Sequence, residues 1–307
     1  MLKASYAANG VMPWKLLGQP YLRDGKVVPL HLQLWPTARC NAACSWCTSK
    51  DIDRKQELFI GEIIELLRHF AKLGTQAVTV AGGGEPTLHH HFATIARYIN
   101  NYGMKLGLET NGLNLKNVAA AVGGDCDWCR VSVIEAYRGH LDRIVELSEL
   151  LPQTDFSLSF TVPDDVDLDF ALSVAQLAEK SPHISGVKFV QDLYAQDNDA
   201  IDQLAGQLDG FTKAFINSPV SGRGSKDCWV SLIRPMVGPD GYVYPCCGVS
   251  LAQEPSRRLP EALRMCHWRE YVKPEPFNGS ACRRCLYGNY NEFIGYAMNP
   301  PKHLEFV

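Results

Sequence analysis

The sequence predicts an α/β fold on a parallel sheet, followed by a smaller cysteine-rich segment, and three observations carry that prediction. Six short apolar runs recur between residues 31 and 193. Amphipathic stretches with apolar residues at helical spacing lie between them, the pattern of parallel strands joined by right-handed crossovers. After residue 217 the composition shifts to cysteine, proline and arginine, with only short apolar runs.

In order, the strands are HLQLWPT (31–37), QAVTVAG (76–82), KLGLETN (105–111), CRVSVIE (129–135), DFSLSFTV (155–162) and GVKFVQDL (186–193). They are rich in Val, Leu, Ile and Phe, and most are bounded by Gly, Pro, Asn or Asp. The helices are FIGEIIELLRHFAKLG (59–74), HHFATIARYINNYG (90–103) and DLDFALSVAQLAEK (167–180), with Gly74 and Gly103 as C-terminal stops. QDNDAIDQLAGQLDGF reads as a last helix, and NSPVSGRGSKD (217–227) as a link. The sheet is either open and doubly wound or curved into a partial barrel. In both, chemistry collects at the C-terminal ends of the strands. Residues 1–30 then form an N-terminal extension, 31–216 the α/β body and 217–307 a small appended unit.

A hydrophobic content of 46% in 307 residues suits a soluble protein with a substantial core. The net charge of −3 offers no general attraction for nucleic acid or anionic membrane. No apolar run reaches the length of a membrane span, and no basic segment with an apolar h-region opens the chain, so a cytoplasmic location is expected. Eleven cysteines fall three at 40–47, two at 126–129 and six at 228–285. Tight spacing without a signal peptide favours metal or redox sites over a disulfide framework.

Cys40-x3-Cys44-x2-Cys47, with Trp46 before the last cysteine, leaves the end of the first strand, and Gly83-Gly84-Glu85-Pro86 leaves the second. Three thiols without a fourth leave a metal position open, as catalytic metal sites do. This spacing closely resembles the signature of the radical S-adenosylmethionine (SAM) superfamily. The resemblance implies a partial (β/α)6 barrel. It implies that Cys40, Cys44 and Cys47 hold a [4Fe–4S] cluster whose fourth iron is chelated by SAM. One electron would then cleave SAM to methionine and a 5′-deoxyadenosyl radical. Gly83, Gly84 and Glu85 resemble the motif that meets the methionine amino group, where glycines allow close approach and a carboxylate suits an ammonium. Glu109 and Asn111 resemble the segment near the SAM ribose, Ser132 stands in strand four, and Trp46 contacts the adenine side. An electron donor such as flavodoxin or ferredoxin is implied.

A second pattern, Cys228-x12-Gly241-x4-Cys246 followed by Cys282-x2-Cys285, resembles the shortened SPASM domain called a twitch subdomain, with one auxiliary [4Fe–4S] cluster. Asp240-Gly241 reads as a hairpin turn that brings Cys228 and Cys246 together. Cys247 is an alternative ligand to Cys246, structural zinc an alternative occupant, and Cys266 has no partner in the pattern. Cys126 and Cys129 fall before strand four, away from the cluster face, and read as structural. The run His89-His90-His91 reads as a solvated face at a helix start.

Residues ending the later strands are the substrate candidates: Glu135, Tyr137, Thr161, Gln191 and Asp192, with Arg223 in the link. The leading function is radical oxidation or rearrangement of a small polar or nucleoside-type substrate. Modification of a peptide or protein is the alternative. A zinc protein binding nucleic acid or a partner is the non-enzyme alternative. Arg257, Arg258, Arg264 and Arg269 read either as a phosphate-binding face or as charge balance around an anionic cluster.

Overall fold

Seven parallel strands stand side by side in chain order: β1 His31–Leu34, β2 Ala77–Val80, β3 Lys105–Thr110, β4 Trp128–Val133, β5 Asp155–Val162, β6 Ile184–Gln191 and β7 Ala214–Asn217. The computed structural model describes residues 22–23, 26–114, 126–217, 222–252, 258–272 and 275–298. The first six strands are the predicted ones. β7 is an addition, formed where the sequence suggests only the approach to a link. Helices α1 Ile60–Leu73, α2 Phe92–Asn101, α3 Leu141–Leu150, α4 Leu168–Lys180 and α5 Asp199–Gln207 lie in the crossovers, and α3 also went unpredicted. Gly74 and Gly103 both adopt positive φ at the helix ends, as the sequence predicts.

Strand order rises without reversal, so the sheet has no switch point and is not doubly wound. Right-handed crossovers of constant direction put the helices on one face. Leu32, Val78, Leu106, Val131, Leu158 and Val187, one from each of β1 to β6, are fully buried against Ile63, Phe70, Ile95 and Val174 of those helices. Burial of this kind contributes roughly 1.5–3 kcal/mol per large apolar side chain before entropy is counted.

The opposite face of the same strands is polar. Register places Glu109 beside Arg130 beside Ser157, and Ser132 beside Ser159 beside Lys188. A parallel sheet covered on both sides carries nearly continuous apolar runs, so this alternation marks a face turned to an interior space.

The cysteine-rich segment is joined to the sheet. Its strand β8 Met236–Val237 runs parallel to β1, turns at Gly241 (φ 79°) into antiparallel β9 Tyr242–Tyr244, and β9 pairs with β10 Cys266–His267. The sheet reaches ten strands in this way. Helix α6 Val230–Ile233 packs with α7 Gly288–Met298 in a separate apolar cluster.

Candidate active site

The loop holding Cys40, Cys44 and Cys47 springs from the end of β1 and is pinned at its base. Ala38 N–H donates to the Gln56 carbonyl (2.9 Å), and Thr37 bridges Glu57. Arg54 Nη1 donates to the Ala38 (3.0 Å) and Gly83 (2.7 Å) carbonyls, tying this loop to the glycine loop after β2. Arg39 donates to Glu57 (2.6 and 2.9 Å) and to the Leu88 carbonyl (2.8 Å). Neither arginine stands out in the sequence, because long-range backbone contacts have no local pattern.

Glu85, expected at the methionine end of SAM, is buried between the loops after β2 and β3. Its carboxylate is 2% exposed. It accepts from Thr87 N (3.1 Å), Thr87 Oγ1 (2.6 Å), Thr110 Oγ1 (2.7 Å) and Asn111 N (2.7 Å). Burial pushes its pKa up, against the pull of those donors. It therefore ties the loops after β2 and β3 together. Asn111, expected near the SAM ribose, donates its amide to Asn41 Oδ1 (2.8 Å) and lies 3.9 Å from Cys40 Sγ. It holds the cysteine loop in place. Gly84 lies so close to that loop that a Cβ would overlap the Ala38 and Arg39 carbonyls. Gly84→Ala is expected to cost about 2 kcal/mol or more, read as a lower melting temperature.

The thiols suit a multi-iron cluster. Cys40, Cys44 and Cys47 act on one another electrostatically: burial and the charges of Cys47 and Cys40 push Cys44 up to about 11. Ala42 N–H points at Cys40 Sγ (3.5 Å), the kind of contact that tunes a cluster thiolate. Among the described residues no three His, Cys, Asp or Glu converge on one metal ion.

The second cysteine group is built by strand-like pairing. Gly222 bridges Cys285, Cys228 bridges Phe277, and Gly224 N–H donates to the Cys282 carbonyl (2.9 Å). Burial pushes Cys228 and Cys282 each up to about 11, with Cys285 acting on both. Cys246 is raised by burial and feels Cys247, Cys228 and Cys282. Cys247 turns instead to Tyr287, whose OH lies 2.9 Å from its Sγ. Cys266 sits in β10 and has no cluster thiol among its electrostatic neighbours. Cys126 and Cys129 are buried in the helix-side core. Burial pushes Cys126 up to about 12.

A cavity of about 480 Å³ beside the first cysteine loop is lined by Cys44, Trp46, Glu135, Tyr137, Arg138 and Asp165, among others. Trp46, Glu135 and Tyr137 therefore meet there. Glu135 is engaged by Arg138 (2.8 Å), which also holds Asp167 (2.6 Å). Thr161 shares the inward face of β5 with Ser157 and Ser159. Gln191 donates to Asp197 O (2.7 Å) and Asn198 Oδ1 (2.6 Å) in an exposed loop, and Asp192 accepts from Tyr194 N (3.0 Å). Arg223 is exposed beside the second cysteine group.

Two other expectations change. His89 is buried, bonded through Nε2 to the Leu58 carbonyl (2.9 Å), and is no part of a solvated face. Arg264 pairs with Asp240 and Glu261, and Arg269 with Glu62 and Glu65, so these cations answer neighbouring carboxylates. Arg258 lines a cavity of about 620 Å³ with Asp51, Asp53 and Asp240, among others, and Arg257 lies outside the described residues.

Residues 36–145 match the Radical SAM superfamily profile. GTP 3′,8-cyclase of Marinobacter nauticus is 32% identical over 104 residues, covering 33% of this chain and 31% of that protein. The S-adenosylmethionine-dependent nucleotide dehydratase of Selenomonas ruminantium is 33% identical over 90 residues, covering 29% and 31%. The chain thus spans about a third of the length of these curated relatives. In fold it is similar to Streptococcus suis SuiB bound to S-adenosylmethionine, with a TM-score of 0.60 over 80% of this chain and 64% of that one at 11% identity. It is also similar to anSMEcpe with bound AdoMet and a peptide, with a TM-score of 0.56 over 91% and 86% at 15% identity.

Proposed function

The chain carries a radical SAM superfamily domain at residues 36–145, and from that premise we propose an enzyme that cleaves SAM reductively and directs the radical onto a small polar or nucleoside-type substrate in the barrel interior. The observation that carries this is the three-thiol loop at the C-terminal end of β1, set over a polar sheet face. Cys40, Cys44 and Cys47 hold a [4Fe–4S] cluster with an open iron for SAM. Such a group, when bound, would supply the one electron that cleaves SAM to methionine and an organic radical able to take a hydrogen atom from the substrate. Trp46 flanks the adenine side, Gly83 and Gly84 let the methionine end approach, and Glu85 and Asn111 hold those loops from beneath. Glu109, Ser132 and Thr161 face the space where positioning decides which hydrogen is taken. Oxidation and rearrangement are both open to such a site.

The second group, Cys228, Cys246, Cys282 and Cys285, holds a closed auxiliary [4Fe–4S] cluster in a twitch-like unit spanning 217–307, attached to the 31–216 barrel. Cys246 is the better ligand because Cys228 and Cys282 act on its sulfur, whereas Cys247 is turned to Tyr287. Cys246→Ser is expected to lose up to about four irons per chain, and Cys247→Ser to keep them. Iron analysis of anaerobically prepared protein distinguishes the two.

A peptide substrate is the second reading. It is favoured by the fold likeness to SuiB and to peptide-bound anSMEcpe across most of the chain. The wild-type protein, purified without oxygen, should be brown with about eight irons per chain and should yield 5′-deoxyadenosine from SAM and dithionite. A colourless protein containing only zinc would sink the proposal. Nucleotide and peptide pools added to the reduced enzyme separate the two readings by which one accelerates SAM consumption.

A further inference from the structure

Resting on that reading, we propose that the barrel interior binds an oxyanion of the substrate, phosphate or carboxylate, between Lys188, Arg130 and Arg234. Arg130 and Lys188 lie on the polar face of adjacent rows in the sheet, in register with Ser157 and Ser159. Arg234 reaches the same place from the end of α6, just before β8. Arg130, Glu109 and Arg234 all act electrostatically on Lys188, together with Cys247. Among the described residues that act on Lys188, the one carboxylate is Glu109, which already pairs with Arg130 at 3.3 Å.

Lys188 forms no ion pair with a described carboxylate. Arg234 stacks over the Tyr287 ring at 5.2 Å, and its buried Nε has no hydrogen-bond partner. Ser157 Oγ and Gln33 Oε1, on the same sheet face, are also buried without partners. Unpaired buried charge and unpaired buried donors are costly, and each calls for an explanation such as a ligand. Guanidinium groups and a lysine on one wall match an oxyanion in charge and in donor geometry. The rival explanation is that these cations balance an anionic cluster at Cys246.

Pyridoxal 5′-phosphate tests this, because it joins a phosphate to an aldehyde that condenses with a neutral amine, releasing water; borohydride then fixes the imine. Burial, with Arg130 second, brings Lys188 down to about 8. At pH 8 its neutral fraction is about a hundredfold that of an ordinary lysine. The cluster-loaded, anaerobic protein should therefore be modified at Lys188 ahead of its exposed lysines, read by peptide mass spectrometry. Pyridoxal, lacking the phosphate, should label Lys188 about tenfold more slowly. Millimolar inorganic phosphate or succinate should protect. Protection by phosphate alone assigns a phosphate-bearing substrate, and protection by succinate alone a carboxylate. Protection by neither, or no labelling at Lys188, overturns the proposal. Arg234→Met should keep the iron and weaken protection about tenfold. Lost iron with unchanged protection assigns Arg234 to the cluster and also overturns it. Labelling needs no SAM turnover, so absence of 5′-deoxyadenosine would refute the enzyme reading separately.

Discussion

Cys40→Ala is expected to abolish 5′-deoxyadenosine formation, a fall of at least about a thousandfold, or 4 kcal/mol in the barrier. Up to about half of the iron should go with it, leaving that of the proposed second cluster at Cys228, Cys246, Cys282 and Cys285. The reason is ligand number. In the proposed cluster three thiolates would leave one iron open, and a second vacant iron would expose it to solvent and loss. Cys40 is also the thiol most closely tied to the framework, through Ala42 N–H and the neighbouring Asn111 amide. The melting temperature should change little, because Cys40 is only partly buried on a loop rather than in the core. Cys129→Ala is the opposing control. That thiol is 2% exposed in the helix-side core, so its loss costs stability by leaving a small void, with iron and SAM cleavage retained. A Cys40→Ala protein that still cleaves SAM would show that the catalytic cluster lies elsewhere.

The two cysteine groups and the alternation of strands and helices were legible because each is a local pattern. Cys40-x3-Cys44-x2-Cys47 is read within eight residues, and DFSLSFTV shows its period of two within one strand. What went unread depends on distance along the chain. β8 joins β1 across some two hundred residues, which no local window registers. Arg54 serves two backbone carbonyls that only the folded loops bring together. The polar interior left a usable trace, however. Arg130 and Ser132 in WCRVSV, Ser157 and Ser159 in DFSLSFTV, and Lys188 in ISGVKFVQ interrupt runs that a sheet covered on both faces would keep apolar. Those interruptions indicate a cavity-facing side, and with it Lys188, which placement at strand ends alone does not single out.

Glu85→Ala is expected to destabilise the fold by about 3–5 kcal/mol, more than a typical surface substitution and comparable to breaking a buried ion pair. Four donors from Thr87, Thr110 and Asn111 converge on this carboxylate. The Thr87 and Thr110 hydroxyls can rotate to other acceptors, but the two backbone N–H groups cannot, and water has little access to a site 2% exposed. Glu85→Gln should cost less, about 1–2 kcal/mol, because it keeps the shape and one acceptor oxygen while its NH2 faces a donor. Denaturant unfolding of the cluster-loaded protein measures both values. The damage should also reach the cofactor, since Glu85 links the end of β3 to the glycine loop, and that loop is tied to the cysteine loop by Arg54 and by Glu85 N–H to the Arg39 carbonyl (2.7 Å). SAM affinity should fall at least about tenfold in Glu85→Gln, even where the protein remains folded, because the loops it positions lose their common anchor. If Glu85→Gln unfolds like wild type and binds SAM as tightly, the carboxylate is not the keystone between these loops. A lost affinity with unchanged stability would return Glu85 to direct contact with the methionine amino group.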